Sequence, residues 1–323
     1  MLKNLPEISK QIFVEDILHV LENKYSSIGT LWAHHQMEWS NDIFSYFNDH
    51  DKFLIIIYLT KKTLDLYSKN FVRLSYDQFY SKDAVEIEKF NVIEVSKNIN
   101  IPKESARRKI VELEKANVIK RYKNKIIINK SAFSFVSPIS SIKRVSHFLS
   151  IFSKTLVDEK ILLKPLRSTE LEKIIKKNFS FVLKIYYEMQ IPMLLNYKKV
   201  FKDLESFHIW GLCVVNQHLH FEKKNKKMEK KFKMNKLEFI KSIYSNDEIQ
   251  GINAMSISNI SGIPRATVVR KLKKLVKQKH LTIDDKKHYR ITGSFVKELI
   301  PIQNIVLNQL AIFSTKIYNL VTL

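Results

Sequence analysis

The chain repeats itself, and the repeat limits the folds that it can adopt. Residues 90–133 align without a gap to residues 252–295, at an offset of 162. A unit of roughly half the chain is too long for a solenoid repeat. We therefore predict a duplicated domain, with units over 1–160 and 161–323, arranged as a pseudo-two-fold dimer within one polypeptide. The identical pairs in the window are Asn91/Asn253, Ser96/Ser258, Ile101/Ile263, Pro102/Pro264, Arg108/Arg270, Lys109/Lys271, Leu113/Leu275, Lys115/Lys277 and Phe133/Phe295.

The match continues on both sides of this window. Downstream, LSIFS at 149–153 corresponds to LAIFS at 310–314. Upstream, Phe47-x-Asp49-x-Asp51-x-Phe53 corresponds to Phe201-x-Asp203-x-Glu205-x-Phe207, at an offset of 154. The second unit thus gains residues between these blocks, where the Lys-rich stretch KKNKKMEKKFKMNK occupies 223–236. Because it is the inserted segment, we interpret it first as a linker; a solvated helix end and a further phosphate contact are the alternatives.

Each window has the pattern of two helices followed by a small hairpin. The first window predicts helices over 92–99 and 103–116 and strands over 118–122 and 125–129; the second predicts helices over 257–261 and 265–278 and strands over 280–283 and 288–291. Before the first window, apolar residues also recur at helical spacing over 11–21 and 43–66. The longer helix of each window has an apolar stripe at helical spacing, formed by Ala106, Ile110 and Leu113 and by Val268, Leu272 and Leu275.

The turns between the paired helices support this interpretation. A tight helix-to-helix turn commonly needs a residue with positive φ, and Gly262 supplies it in the second window. The first window has Asn100 there, the residue type other than Gly that best tolerates this region. Pro102 and Pro264 follow near the first turn of the next helix. We predict a mainly α fold with small β-hairpin wings: two winged helix–turn–helix units, at 84–133 and 249–295, with flanking helices.

Both windows resemble known DNA-binding modules. IEVSKNINIPKESARRKIVELEKANVIKRYKNKIIIN resembles the module of Crp/Fnr-type bacterial regulators. ISNISGIPRATVVRKLKKLVKQKHLTIDDKKHYRIT is similar to MarR-type winged-helix regulators. The resemblance implies that the second helix of each module enters the major groove and that the wing touches the backbone or the minor groove. It covers the two windows alone, and nothing in the sequence resembles the cyclic-nucleotide barrel of the Crp family.

The charge of the chain favours polyanionic partners. The formal net charge is +23, which suits DNA, RNA or an anionic membrane surface. Lys outnumbers Arg 46 to 9, a bias typical of an AT-rich genome, so Arg is the more informative cation. Six of the nine Arg lie in the two windows. We predict contacts to double-stranded DNA from Lys103, Ser105, Arg107, Arg108, Lys109, Lys115, Arg121, Lys123 and Lys125, and from Arg265, Thr267, Arg270, Lys271, Lys273, Lys274, Lys277, Lys286, Lys287 and Arg290.

Other classes of function have little support in the sequence. Only 5 Gly occur, without a phosphate-binding loop, and no catalytic or metal-ligand spacing stands out around Cys213, His218 or His220. We expect no enzymatic activity, no cofactor and no metal. The single cysteine and the short apolar runs predict a soluble, cytoplasmic protein without a membrane partner. A small-molecule effector between the helices stays open, as does the choice between a monomeric pseudo-dimer and a homodimer.

We expect a sequence-specific regulator of transcription. Two alternatives remain: a plasmid- or phage-type replication initiator with tandem winged-helix domains, and a winged-helix scaffold that mediates protein contacts. Equally spaced iterated target sites favour initiation, whereas a single promoter-proximal site favours regulation.

Overall fold

The protein is mainly helical, with two small antiparallel sheets. A computed structural model describes residues 8–81, 84–87, 91–122, 125–129, 138–226, 234–244 and 249–322. The helices are α1 Val14–Asn23, α2 Gly29–Phe47, α3 His50–Lys69, α4 Tyr76–Tyr80, α5 Val92–Asn98, α6 Lys103–Lys115, α7 Ile139–Asp158, α8 Ser168–Lys177, α9 Phe179–Phe201, α10 Leu204–Lys226, α11 Lys236–Tyr244, α12 Ala254–Ser261, α13 Arg265–Lys277 and α14 Gly293–Thr322. The strands are β1 Ala84–Ile87, β2 Ile119–Tyr122, β3 Lys125–Asn129, β4 Ile252–Asn253, β5 Leu281–Ile283 and β6 His288–Ile291.

The two sheets have the same strand order. In the first, β3 lies between β1 and β2; in the second, β6 lies between β4 and β5. Val85 and Ile119 both pair with Ile128 of β3. In the second sheet, Ile252 pairs with Tyr289 of β6 and Leu281 pairs with Ile291. In both sheets the outer strand on one side precedes the helix pair and the hairpin follows it. The order strand, helix, helix, hairpin is therefore present twice.

The helices before each sheet also recur at a fixed spacing. Helices α1 and α8 begin 154 residues apart, at Val14 and Ser168, and α3 and α10 begin 154 residues apart, at His50 and Leu204. Helix α2, which precedes α3, ends at the left-handed residue Asn48 (φ 48°). Helix α9, which precedes α10, ends at the equivalent left-handed residue Lys202 (φ 70°). The predicted single helical stretch over 43–66 is corrected here: two helices meet at this left-handed residue.

Helices of one half pack against helices of the other in a reciprocal way. Helix α2 packs on α10 while α9 packs on α3, and α1 packs on α14 while α8 packs on α7. The chain just before α1 follows the same rule: the backbone N–H of Ile12 donates to Asn319 Oδ1 at 2.9 Å. The equivalent backbone N–H of Leu166 donates to Ser153 Oγ, also at 2.9 Å. These contacts join the two halves of the described chain through four helix pairs.

A continuous apolar core runs through both halves of the described chain. Trp32, Trp39 and Trp210 are each about 95% buried in it. Trp39 makes an edge-to-face ring contact with Tyr186 from the second half, with the ring centroids 5.8 Å apart. Helices α2, α3, α9, α10 and α14 pack on one another in this core, and together they form the platform. Helix α6 packs on the platform through α3, and α13 packs on it through α10. Among the described helices, none has the length and apolar character needed to cross a bilayer.

Candidate nucleic-acid interface

The turn that leads into each exposed helix has the same construction in the two copies. Asn100 (φ 51°) and Gly262 (φ 71°) adopt the left-handed conformation that the sequence predicts for them. Just before each turn, a serine hydroxyl donates across it to a carbonyl. The hydrogen bonds Ser96 Oγ to Ile101 O and Ser258 Oγ to Ile263 O are both 2.7 Å long. These identical bonds fix the angle at which α6 and α13 leave their turns.

The inner faces of α6 and α13 hold the predicted apolar stripes. Ala106, Ile110 and Leu113 are at most 2% exposed, as are Val268, Leu272 and Leu275. The prediction of a buried stripe is confirmed in both copies. Burial of one face leaves the opposite side of each helix exposed to solvent, which determines which cations are accessible.

One predicted DNA contact in the first copy is corrected by the structure. Lys109 is only 9% exposed, and its ammonium group hydrogen-bonds Asp49 and lies 4.0 Å from Asp51. Both carboxylates belong to the start of α3. Lys109 therefore anchors α6 to the platform and is not accessible to a phosphate.

The second copy repeats this anchor at the equivalent positions, so Lys271 is corrected in the same way. Lys271 is 8% exposed, and its Nζ lies 2.7 Å from Asp203 Oδ1 and 3.3 Å from Glu205 Oε2. The repeat showed the lysines and the acidic residues as separate blocks. Their contact was missed because sequence spacing does not tell which blocks meet in space.

The acidic residue of each anchor also begins a helix. Asp49 Oδ1 accepts the backbone N–H of Asp51 at 2.9 Å, and Asp203 Oδ1 accepts that of Ser206 at 2.7 Å. Burial pushes the pKa of Asp203 up, but the Lys271 ammonium and the Ser206 donors outweigh it, so the pKa lies below its usual range. In each copy one carboxylate thus caps α3 or α10 and holds the exposed helix, α6 or α13, against it.

The outer face of α13 is a surface of free positive charge. Helix α13 contains no acidic residue. Within the described part of the chain, Arg265, Arg270, Lys273 and Lys277 are exposed and form no ion pair. Lys274 is also exposed, and its Nζ lies 3.7 Å from Asp203. Thr267 is half-buried near the start of the helix. The arrangement suits a phosphate backbone, which binds several cations along one helix.

The outer face of α6 is more nearly neutral. Its exposed cations are Lys103, Arg107, Arg108 and Lys115, and Ser105 is half-buried. The helix also carries Glu104, Glu112 and Glu114, which correspond to Ala266, Lys274 and Val276 in the second copy. Glu112 Oε2 lies 2.9 Å from Lys52 Nζ, which lowers the pKa of that carboxyl, and Glu112 Oε1 lies 3.7 Å from Arg108 Nε.

The two hairpins add little net positive charge. In the first, Arg121 is bound to Glu114 and Lys125 to Glu86, so two predicted contacts have acidic partners within the protein. In the second, the turn exposes Lys286 and Lys287 beside Asp284 and Asp285, and Arg290 is half-buried. Predicted contact Lys123 and repeat partner Phe133 lie outside the described residues, as do residues 227–233 of the Lys-rich segment.

The chain was compared with family models, with curated proteins and with solved structures, and none of them matches. The geometry of the two exposed helices is therefore the basis for the function proposed below.

Proposed function

We propose that this protein binds double-stranded DNA through two winged helix–turn–helix modules and regulates transcription. The observation that carries the proposal is the set of four exposed, unpaired cations on α13, among the described residues. The order strand, helix, helix, hairpin occurs twice, and it supports the proposal that α6 and α13 serve as recognition helices. An exposed basic helix packed on a helical platform suits entry into the major groove.

The modules have distinct roles in this proposal. Arg270 and Arg108 occupy identical positions of the repeat and are both exposed, so each is suited to a bidentate contact with guanine or to a phosphate contact. Free cations surround Arg270, whereas Glu112 lies close to Arg108. We therefore assign most of the electrostatic affinity to α13, with α6 as the weaker reader.

The pseudo-two-fold arrangement has a consequence for the target. Two modules related by such an axis read half-sites about one helical turn apart. Their outer faces differ, with Glu104 and Arg107 in one copy and Ala266 and Val269 in the other. The target is therefore an asymmetric pair of half-sites rather than a perfect palindrome.

Selection of bound sequences from random duplex DNA tests the proposal. We expect the full chain to enrich one motif with two unlike halves. Arg270→Ala should abolish enrichment of one half, and Arg108→Ala should weaken the other. Arg167→Ala removes an arginine from the start of α8, where it pairs with Glu170, and is the matched control that should leave the motif unchanged. Enrichment of no motif by the unmodified chain would overturn the proposal.

A further inference from the structure

The duplicated platform contains two cavities at equivalent positions. The first lies among α2, α3, α7 and α9, and the second lies among α2, α9, α10 and α14. Several residues that line one cavity are the repeat equivalents of residues that line the other. Equivalent lining pairs are Phe53/Phe207, Ile56/Trp210 and Ile142/Gln303. The volumes are about 80 Å³ for the first cavity and about 100 Å³ for the second. The duplication thus supplies an internal reference for what an unspecialised cavity of this fold looks like.

The second cavity differs from the first in its polar chemistry. Four of its lining side chains have buried polar atoms without a hydrogen-bond partner in the described part of the protein: both amide atoms of Gln36, Trp210 Nε1, His218 Nδ1 and Gln303 Oε1. Gln36, Trp210 and His218 are at least 95% buried. Among the described residues around the first cavity, no side chain has such an atom.

Unsatisfied buried polar atoms are destabilising, since each lost its water on folding. Five such atoms on four side chains around one small cavity therefore indicate an occupant that supplies both donors and acceptors. Indole N–H donates, Gln303 Oε1 accepts and the Gln36 amide does both. The positions that became polar, Trp210 and Gln303, are Ile56 and Ile142 in the first copy. The polarity of Trp210 and Gln303 is thus particular to this cavity, whereas Gln36 corresponds to Gln190, whose amide atoms also lack a partner in the described part of the protein.

The walls define the shape and charge of the occupant. Tyr25, Phe207, Phe239 and Tyr244 line the cavity with aromatic surface. Burial lowers the pKa of His218 to about 3, so its ring is neutral, and its Nε2 lies 3.0 Å from the Tyr244 hydroxyl. Among the described lining residues Lys236 is the one cation, and its ammonium group already hydrogen-bonds Asn304. A charged ligand would therefore lose its hydration without gaining a free counter-charge.

We propose that the second cavity is a binding site for a neutral, single-ring heteroaromatic molecule that carries an amide or lactam group. The volume of about 100 Å³, smaller than the roughly 150 Å³ cavity that binds benzene in another protein, limits the occupant to a single ring. The amide or lactam group donates to Gln303 Oε1 and accepts from the Trp210 indole N–H, and the ring packs between the aromatic walls. This site goes beyond DNA binding and its test does not depend on DNA.

The test uses the indole N–H resonances of the full chain in the presence of millimolar nicotinamide or uracil. Trp210 and Trp32 line the second cavity and Trp39 lines the first, so each tryptophan reports on a defined cavity. We expect the Trp210 resonance to move saturably while that of Trp39 stays. Toluene and benzoate, an apolar ring and a charged one, should bind at least about fivefold more weakly, as the loss of one hydrogen bond implies.

Matched variants locate the binding. Gln303→Ile introduces the isoleucine that the first cavity has at the equivalent position, Ile142. It should weaken binding of the probe at least about fivefold. Thr60→Val gives the first cavity the valine that the second has at the equivalent position, Val214. It should leave binding of the probe unchanged. If Gln303→Ile fails to fold, displacement of the Trp210 resonance in the unmodified chain decides alone. Failure of both probes to move Trp210, or equal binding of toluene, would overturn the proposal and leave water as the occupant.

Discussion

The two exposed helices of this protein share their inner faces and differ in their outer ones. On the inner side, Lys109 and Lys271 make the same contact with paired acidic residues. On the outer side, Glu112 in α6 corresponds to Lys274 in α13. The platform contacts thus remain in both copies, whereas the surface free to meet a partner has changed. This difference separates the residues that hold α6 and α13 in place from those that the proposed DNA contact would use.

The largest expected effect concerns buried histidines that the copies do not share. Burial lowers the pKa of His35 to about 3 and of His50 to about 4, and it lowers the pKa of His208 as well. These histidines therefore bind protons at a lower pH in the folded state than in the unfolded state. Their contribution to the free energy of unfolding is fully present above pH 6.5 and is lost as the pH falls below that value. Each such histidine contributes about 1.4 kcal/mol per pH unit in that window.

The repeat supplies the variants that test this acid sensitivity. His50 and His208 correspond to Leu204 and Leu54 in the opposite copies. The double variant His50→Leu/His208→Leu should show a shallower fall of unfolding free energy between pH 6.5 and about pH 5, measured by urea denaturation. His147→Asn, at an exposed site, is the control. An unchanged slope in the double variant would show that these rings do not cause the sensitivity.

The next largest effect tests the shared anchor. Lys271→Met removes the closest cation from the half-buried Asp203 and Glu205 and leaves Lys274 3.7 Å from Asp203. Lys109→Met removes the cation of Asp49, while Asp51 keeps Lys198 at 2.8 Å. We expect each to lower the free energy of unfolding by about 2–3 kcal/mol, because a broken buried pair is strongly destabilising and these carboxylates retain some solvent. Equal losses would support equivalence of the copies; a loss in only one copy would break it.

A smaller effect distinguishes the two outer faces. We expect Arg270→Ala to weaken binding to the selected duplex about tenfold, because a good bidentate contact contributes about 1–3 kcal/mol. Arg108→Ala should have less effect, since Glu112 already lies close to that guanidinium group. Fluorescence anisotropy at fixed salt measures both. A larger loss for Arg108→Ala would reverse the assignment of α13 as the main contact.

The smallest expected effect comes from a substitution that makes the outer face of α6 more like that of α13. Glu104 is exposed on α6 and corresponds to Ala266. Glu104→Ala should tighten DNA binding by a few-fold, because one repulsive charge of well under about 1 kcal/mol is removed near the phosphates. Titration at two salt concentrations checks it, and the gain should shrink as salt rises. A weaker complex would place Glu104 in a direct base contact instead.

The local features of the fold were predictable from the sequence. Asn100 and Gly262 follow from turn chemistry, and the stripes at Ala106 and Val268 follow from helical spacing. The break at Asn48 was missed, because apolar residues continue on both sides of it at helical spacing. The start of α12 at Ala254 rather than 257 follows from Asn253, whose side chain accepts the backbone N–H of Ser256 at 2.9 Å and caps the helix.

The long-range features needed coordinates. The sequence indicated a pseudo-dimer, but it did not show that α2 packs on α10 and α9 on α3, since helical patterns carry no information about partners. Lys109 was predicted as a DNA contact because positive charge alone does not distinguish an exposed lysine from one buried beside Asp49. The polar second cavity was missed for the same reason: Gln36 and Gln303 are far apart in the chain.

Hydroxyl-radical footprinting of the selected duplex tests most directly whether both modules contact DNA. We predict two protected patches on one face of the duplex, about one helical turn apart, with the patch of the second module the stronger. Arg270→Ala should remove that patch and leave the other in place. A single protected patch, or two patches that Arg270→Ala weakens equally, would contradict the assignment of one half-site to each module.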